Sequence, residues 1–221
     1  MFSGVRERRA LCNLARELIR GQAEYTLNRQ ALEGEESFSE LQVQRLFSSD
    51  SELRLAIAEA ELYSYFKHLE YAFGLHRQPA KVLLFHACWL VYETNVMERF
   101  PLVKLVPSEK LVFSVGLECS RRYLRVQSTY DDYLLNLLKQ VVSPKSAGVY
   151  RLYKAMVNGH CLGGENEAFR YQAYYRTLIS GLSDMLGLDE EVRPSLVEQE
   201  QWFVSKFSVP KAYESLLATA R

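Results

Sequence analysis

The sequence has no net charge: 27 Lys and Arg balance 27 Asp and Glu over 221 residues. No overall field therefore draws the chain non-specifically to nucleic acid or to an anionic membrane. Long apolar runs are missing too. The longest reaches about half of the roughly 20 residues that a membrane-spanning helix needs, so no membrane partner is expected. The four cysteines, Cys12, Cys88, Cys119 and Cys161, lie far apart and form no CxxC pair. Such spacing suits reduced, mostly buried thiols rather than a disulfide framework. Residues 1–9 lack the apolar segment of a secretory signal, and Glu7 and Glu17 speak against a transit peptide. The expected location is cytoplasmic.

Catalytic motifs are absent as well. There is no GxSxG, no GxGxxG, no HExxH, and no Glu three residues ahead of any histidine as in di-iron bundles. Gly159 and Gly164 are separated by four residues, as in a phosphate-binding loop, but Glu165 stands where that loop requires lysine. An acid there repels phosphate, so the glycines are expected to form a helix-breaking turn. His160 and Cys161 are adjacent, a spacing that rarely lets nucleophile and base face each other. No cofactor and no catalytic residue are expected.

What is present is helical periodicity, with no alternating strand anywhere along the chain. Apolar residues make up 48% of the sequence, enough for a core, and tyrosine is frequent at 14 positions. The expected fold is all-α, a compact bundle of about nine helices in one domain, 1–221, with a weak subdivision near 101–108. Its central helix is placed at about 80–99, where residues 82–92 are apolar on every side except for His86.

The first helix is expected over about 5–31, with Leu11, Leu14, Leu18 and Tyr25 on its apolar side. Ser37 or Ser39 caps a short helix through Phe47. A hairpin follows over 51–100. Its first arm carries Leu55, Ala58, Leu62, Phe66, Leu69 and Phe73 in one stripe, Gly74 ends that arm, Pro79 starts the second and Pro101 stops it. The segment 102–106 is read as extended chain. Ser108 opens a helix through Val126, and Thr129 with Asp131 and Asp132 starts another that ends near Val142. Ser143 and Pro144 open the next helix, which Asn158 and Gly159 terminate. A long helix then buries Tyr171, Tyr175, Leu178, Leu182 and Met185 and closes at Gly187. Ser195 and Glu198 form a capping box ahead of Trp202, Phe203 and Phe207, and a last helix starts at Pro210.

Three histidines fall in the hairpin. His86 is expected to be a core residue satisfied by one hydrogen bond, His68 a helix-flank residue paired with an acid, and His76 a solvent-facing turn residue. The alternative is an interior site assembled across the arms from Glu61 and His68 with His86 and Glu93. The seven-residue spacing on each arm suits an elongated pocket better than a single metal ion.

Charge is distributed unevenly beneath the neutral total. Residues 99–126 hold six basic and two acidic side chains, whereas 184–200 hold six acidic and one basic. Arg121, Arg122, Tyr123 and Arg125, with Arg151, Tyr153 and Lys154, interleave cations with aromatic rings. Protein interfaces are enriched in this combination. The leading expectation is therefore a non-enzymatic adaptor or regulatory protein that uses this face on a protein partner or in a homo-oligomer. A nucleic-acid-binding regulator would use the same face for phosphates and bases. A metal- or cofactor-dependent helical enzyme would use Glu61, His68, His86 and Glu93.

Overall fold

The computed structural model describes residues 7–8, 10–15, 29, 32, 39–97, 109–142, 146–162 and 167–208. Among them every regular element is helical, as the periodicity requires. The helices are α1 (Glu40–Leu46), α2 (Asp50–His76), α3 (Pro79–Asn95), α4 (Glu109–Ser114), α5 (Leu117–Val141), α6 (Ser146–Cys161), a 3-10 turn (Glu167–Arg170), α7 (Gln172–Leu186) and α8 (Leu196–Val204). None of these is long and apolar enough to cross a membrane. The chain divides into two compact units, residues 1–63 with 98–128 and residues 64–97 with 129–221, so that α2 and α5 each contribute to both.

In the first unit, Leu11, Cys12 and Ala15 are buried with Leu32, Val43, Phe47, Leu53, Ala56 and Ile57. Ser39 and Gln42 form a reciprocal capping box at the start of α1, satisfying amides that a helix leaves open. Arg8 lies over the Phe47 ring at 4.4 Å, donates to the Leu46 carbonyl at 2.6 Å and pairs with Glu52 at 3.0 Å. One guanidinium thus covers apolar surface and binds the exposed end of α1 to α2.

The second unit is built on α3. Ala80 and every residue from Val82 to Tyr92 are buried, and α3 contacts α6, α7 and the 3-10 turn. Its backbone also takes side-chain donors: the Tyr153 hydroxyl donates to the Leu83 carbonyl at 2.8 Å. Lys81 reaches Glu198 on α8 at 2.5 Å. Gly187 adopts φ 64° after α7, and the Leu188 amide returns to the Ser183 carbonyl at 3.0 Å, closing the helix as its position suggests. Ser195 and Glu198 form the anticipated box at α8. Beyond α8, Lys206 (φ 56°) and Phe207 (φ 53°) are left-handed without being glycine, a cost of roughly 1–2 kcal/mol each. Burial of the Phe207 ring against Phe85, Tyr92 and Tyr175 offsets it.

Several boundaries differ from the sequence reading, each for a local reason. Helix α2 passes Gly74 to His76, and Arg77 takes the left-handed position (φ 57°) instead. Helix α3 stops at Asn95 rather than near Arg99, where the Asn95 amide donates to the Val91 and His160 carbonyls at 3.0 Å each. The helix expected over 108–126 breaks at Val115 and Gly116, glycine being a poor helix former. Conversely, Thr129 starts nothing. Helix α5 runs through it because Tyr123, Tyr130, Leu134, Leu137 and Leu138 keep one buried face in phase. Gly159 lies inside α6, and Tyr171 is the exposed N-cap of α7 with Phe169 buried in its stead. Phe73 is likewise exposed. Leu18, Tyr25, the connector 102–106, the Ser143–Pro144 start and the helix from Pro210 lie outside the described residues.

Candidate functional site

His68 on α2 and His86 on α3 face each other across the hairpin, with their Nδ1 atoms 2.9 Å apart. The His68 Nε2 lies 3.1 Å from the Phe207 carbonyl, and the His86 Nε2 lies 3.1 Å from the Tyr130 hydroxyl. These partners determine the protons of a neutral pair. A carbonyl only accepts, so His68 carries its proton on Nε2 and presents a lone pair at Nδ1. His86 must then donate from Nδ1, which leaves its Nε2 to accept from Tyr130. The result is a one-way chain from Tyr130 through His86 and His68 to the backbone of the left-handed turn after α8.

The chain is sealed from solvent. His86 is fully buried, His68 and Tyr130 nearly so, and the His68 ring stacks on Trp89 with centroids 3.9 Å apart. Burial, and then the neighbouring His68, push the His86 pKa well below its usual value. Burial raises the Tyr130 hydroxyl well above its own. Both groups are therefore neutral near pH 7, joined to each other, and have no exposed atom to offer a substrate. His68 is thus buried against His86 and Trp89 rather than set on the helix flank, and His86 makes two hydrogen bonds rather than one. His76 does not face solvent either. Its ring lies against Phe85 and Trp202, and burial holds its pKa at about 4. Glu61 is buried in the first unit, while Glu93 is half-buried on α3. Among the described residues no three His, Cys, Asp or Glu side chains gather in a way that could hold a metal ion.

A second polar cluster lies in the first unit, and the sequence reading missed it. The Cys119 thiol donates to Glu52 at 3.0 Å, and Arg122 and Arg8 approach its sulfur at 3.4 and 3.8 Å. Burial alone would raise the Glu52 carboxyl, but hydrogen bonds from Cys119, Ser48 and Arg8 outweigh it and hold the pKa at about 2. Burial and Glu52 together push the thiol up, which keeps the proton on sulfur and the nucleophile inactive. Arg8 and Cys119 are more than a hundred residues apart, so no local spacing announces the cluster.

The expected binding residues separate into exposed cations and buried rings. Arg121, Arg125 and Arg151 are exposed. Tyr123 and Tyr153 are buried, correcting the expectation that their rings share the cationic face. Arg122 lies 3.6 Å from Glu59, and Lys154 pairs with Asp131 at 3.0 Å and sits above the Tyr150 ring. Arg121, Arg122 and Arg125 belong to the first unit, Arg151 and Lys154 to the second. What flanks Arg121 is aliphatic. Leu117, 66% exposed, and Leu124, 41% exposed, lie one turn before and after it. That spacing is present in the sequence, but which side of the helix faces outward is decided by the packing of its unit.

Comparison with protein-family models, curated proteins and solved structures finds no match.

Proposed function

We propose that the protein is a non-enzymatic helical interaction module that engages a protein partner through the outer face of α5. The observation that carries this reading is the sequence of exposed side chains Leu117, Arg121 and Leu124, with Arg125 beside them, on a helix whose other side is buried. Leucines left in water on adjacent turns gain by being covered, and arginine is enriched where protein surfaces meet. The burial of Tyr123 and Tyr153 supports a protein over a nucleic acid, since it withdraws the rings on which bases would stack. The interior supports a non-enzymatic role, because the histidine chain is hydrogen-bonded at every ring nitrogen and closed to solvent. In this reading the buried chain holds the second unit together and the contact surface lies on the first.

The experiment is a double charge reversal, Arg121→Glu with Arg125→Glu, in a tagged chain chemically crosslinked in its own cells before isolation, so that weak contacts are retained. The variant should lose the co-isolated partner with an unchanged unfolding midpoint. Undiminished recovery of the partner would overturn it.

A further inference from the structure

The acidic segment of the sequence returns as a surface of matching design. On α8, Leu196 is 65% exposed and Val204 75% exposed, and Glu200 lies exposed midway between them. Each residue is four positions from the next, so the three follow one ridge of the helix. Helix α5 presents Leu117, Arg121 and Leu124 in the same apolar–charged–apolar order over two turns. The centre of one stripe is a cation and the centre of the other an anion. Asp189, Glu190 and Glu191, all exposed, extend the negative charge ahead of α8, as Arg125 extends the positive charge on α5.

We infer that these two faces bind each other between copies of the chain, α5 of one molecule seated on α8 of the next. The inference rests on the reading of α5 as a protein-contact face and names its partner as a second copy. Charge complementarity is the reason for choosing that occupant. Two α5 faces would set Arg121 against Arg121, and two α8 faces Glu200 against Glu200, whereas α5 on α8 pairs opposite charges and covers leucine with leucine and valine. A contact between different faces either closes, as a reciprocal pair or a larger ring, or propagates by adding copies. Helix α8 has nine residues, about 13 Å of axis by about 10 Å of width, so its face is on the order of 150 Å², well short of the roughly 800 Å² per partner of a standard interface. Association is therefore weak, with dissociation constants on the order of 10–1,000 µM.

Sedimentation velocity of the purified full chain from about 10 µM to about 1 mM tests the inference over that range. Wild type should show a weight-average mass that rises with concentration. Arg121→Glu and Glu200→Arg should each abolish the rise, and the double variant carrying both should restore it, because the swapped charges still pair. Both positions are exposed, so far-ultraviolet circular dichroism should report intact helices throughout. A wild type that stays monomeric at about 1 mM overturns the second copy as occupant, as does a double variant no better than the singles. If in either case the Arg121→Glu, Arg125→Glu chain still loses its co-isolated partner, the α5 interaction reading stands with a different protein on that face. If that partner is retained as well, both fail.

Discussion

His86 is the residue on which the second unit turns, because it both donates and accepts in the core. Removing it strands two groups, the Tyr130 hydroxyl and the His68 Nδ1 lone pair, whereas Tyr130→Phe strands only the His86 Nε2. A buried polar atom left without a partner costs about 1–3 kcal/mol. His86→Leu should therefore destabilise the unit by about 2–4 kcal/mol and Tyr130→Phe by about 1–2 kcal/mol, with the double variant below the sum since the two share one bond. Both tryptophans, Trp89 and Trp202, lie in this unit, so their fluorescence during urea unfolding reads its stability directly. The same side chains give a pH dependence of definite sign. His86 and His76 both have depressed pKa values, so the unfolded chain takes up protons near pH 6.5 that the folded chain refuses. Stability is fully present above pH 6.5 and falls below it, by up to about 1.4 kcal/mol per pH unit for His86 and by less for the half-buried His76. The His76 contribution levels off near pH 4. Urea midpoints should hold level between pH 7.5 and pH 6.5 and decline from there to pH 4.5; a flat profile throughout would contradict the sealed, neutral His86. The sequence placed His68, His76 and His86 on the hairpin but not against their partners. Which residue of one arm meets which of the other is a tertiary register, and helical periodicity carries no information about it.

Among the elements, the C-terminal ends of α7 and α8 solve one problem in opposite ways. Helix α7 closes on Gly187, where φ 64° costs a glycine almost nothing, while α8 closes through Lys206 at φ 56°, where a side chain is strained. Gly187→Ala should thus destabilise by about 1 kcal/mol, and Lys206→Gly, at an exposed site, should stabilise by a similar amount. Opposite shifts in the thermal midpoint check this, and equal signs would contradict it. Signals of this local kind were legible in sequence: Gly187, the Ser195 box, Pro79 and Ser39, one of two candidate caps, all act where they stand. Competing signals misled where packing outweighed them. Thr129 and Asp131 resemble a helix start, yet Tyr123, Tyr130 and Leu137 keep α5 continuous across them, and Asp131 instead pairs with Lys154. Tyrosine misled in the same way, because a ring on a charged-looking segment faces inward when its turn of helix does, as Tyr123 and Tyr153 show.

At the scale of the molecule, neutral total charge hides a cationic stripe on α5 and an anionic one on α8, and both stripes carry exposed aliphatic side chains. The charge blocks were legible from the order of charged residues along the sequence. The leucines and valine that turn them into contact faces were not, since exposure depends on which side of each helix its own unit covers. The central claim is that α5 presents its outer face to a protein. A photocrosslinking side chain in place of Leu124, compared with one in place of the exposed Arg176 on α7, tests that claim most directly in cells that carry the gene. A discrete adduct should form from position 124, be absent from position 176 and be lost when Arg121→Glu and Arg125→Glu are added. An adduct of twice the chain's mass would identify the second copy, and one of another mass a different protein. No adduct at position 124, or the same adducts from both positions, would contradict the account.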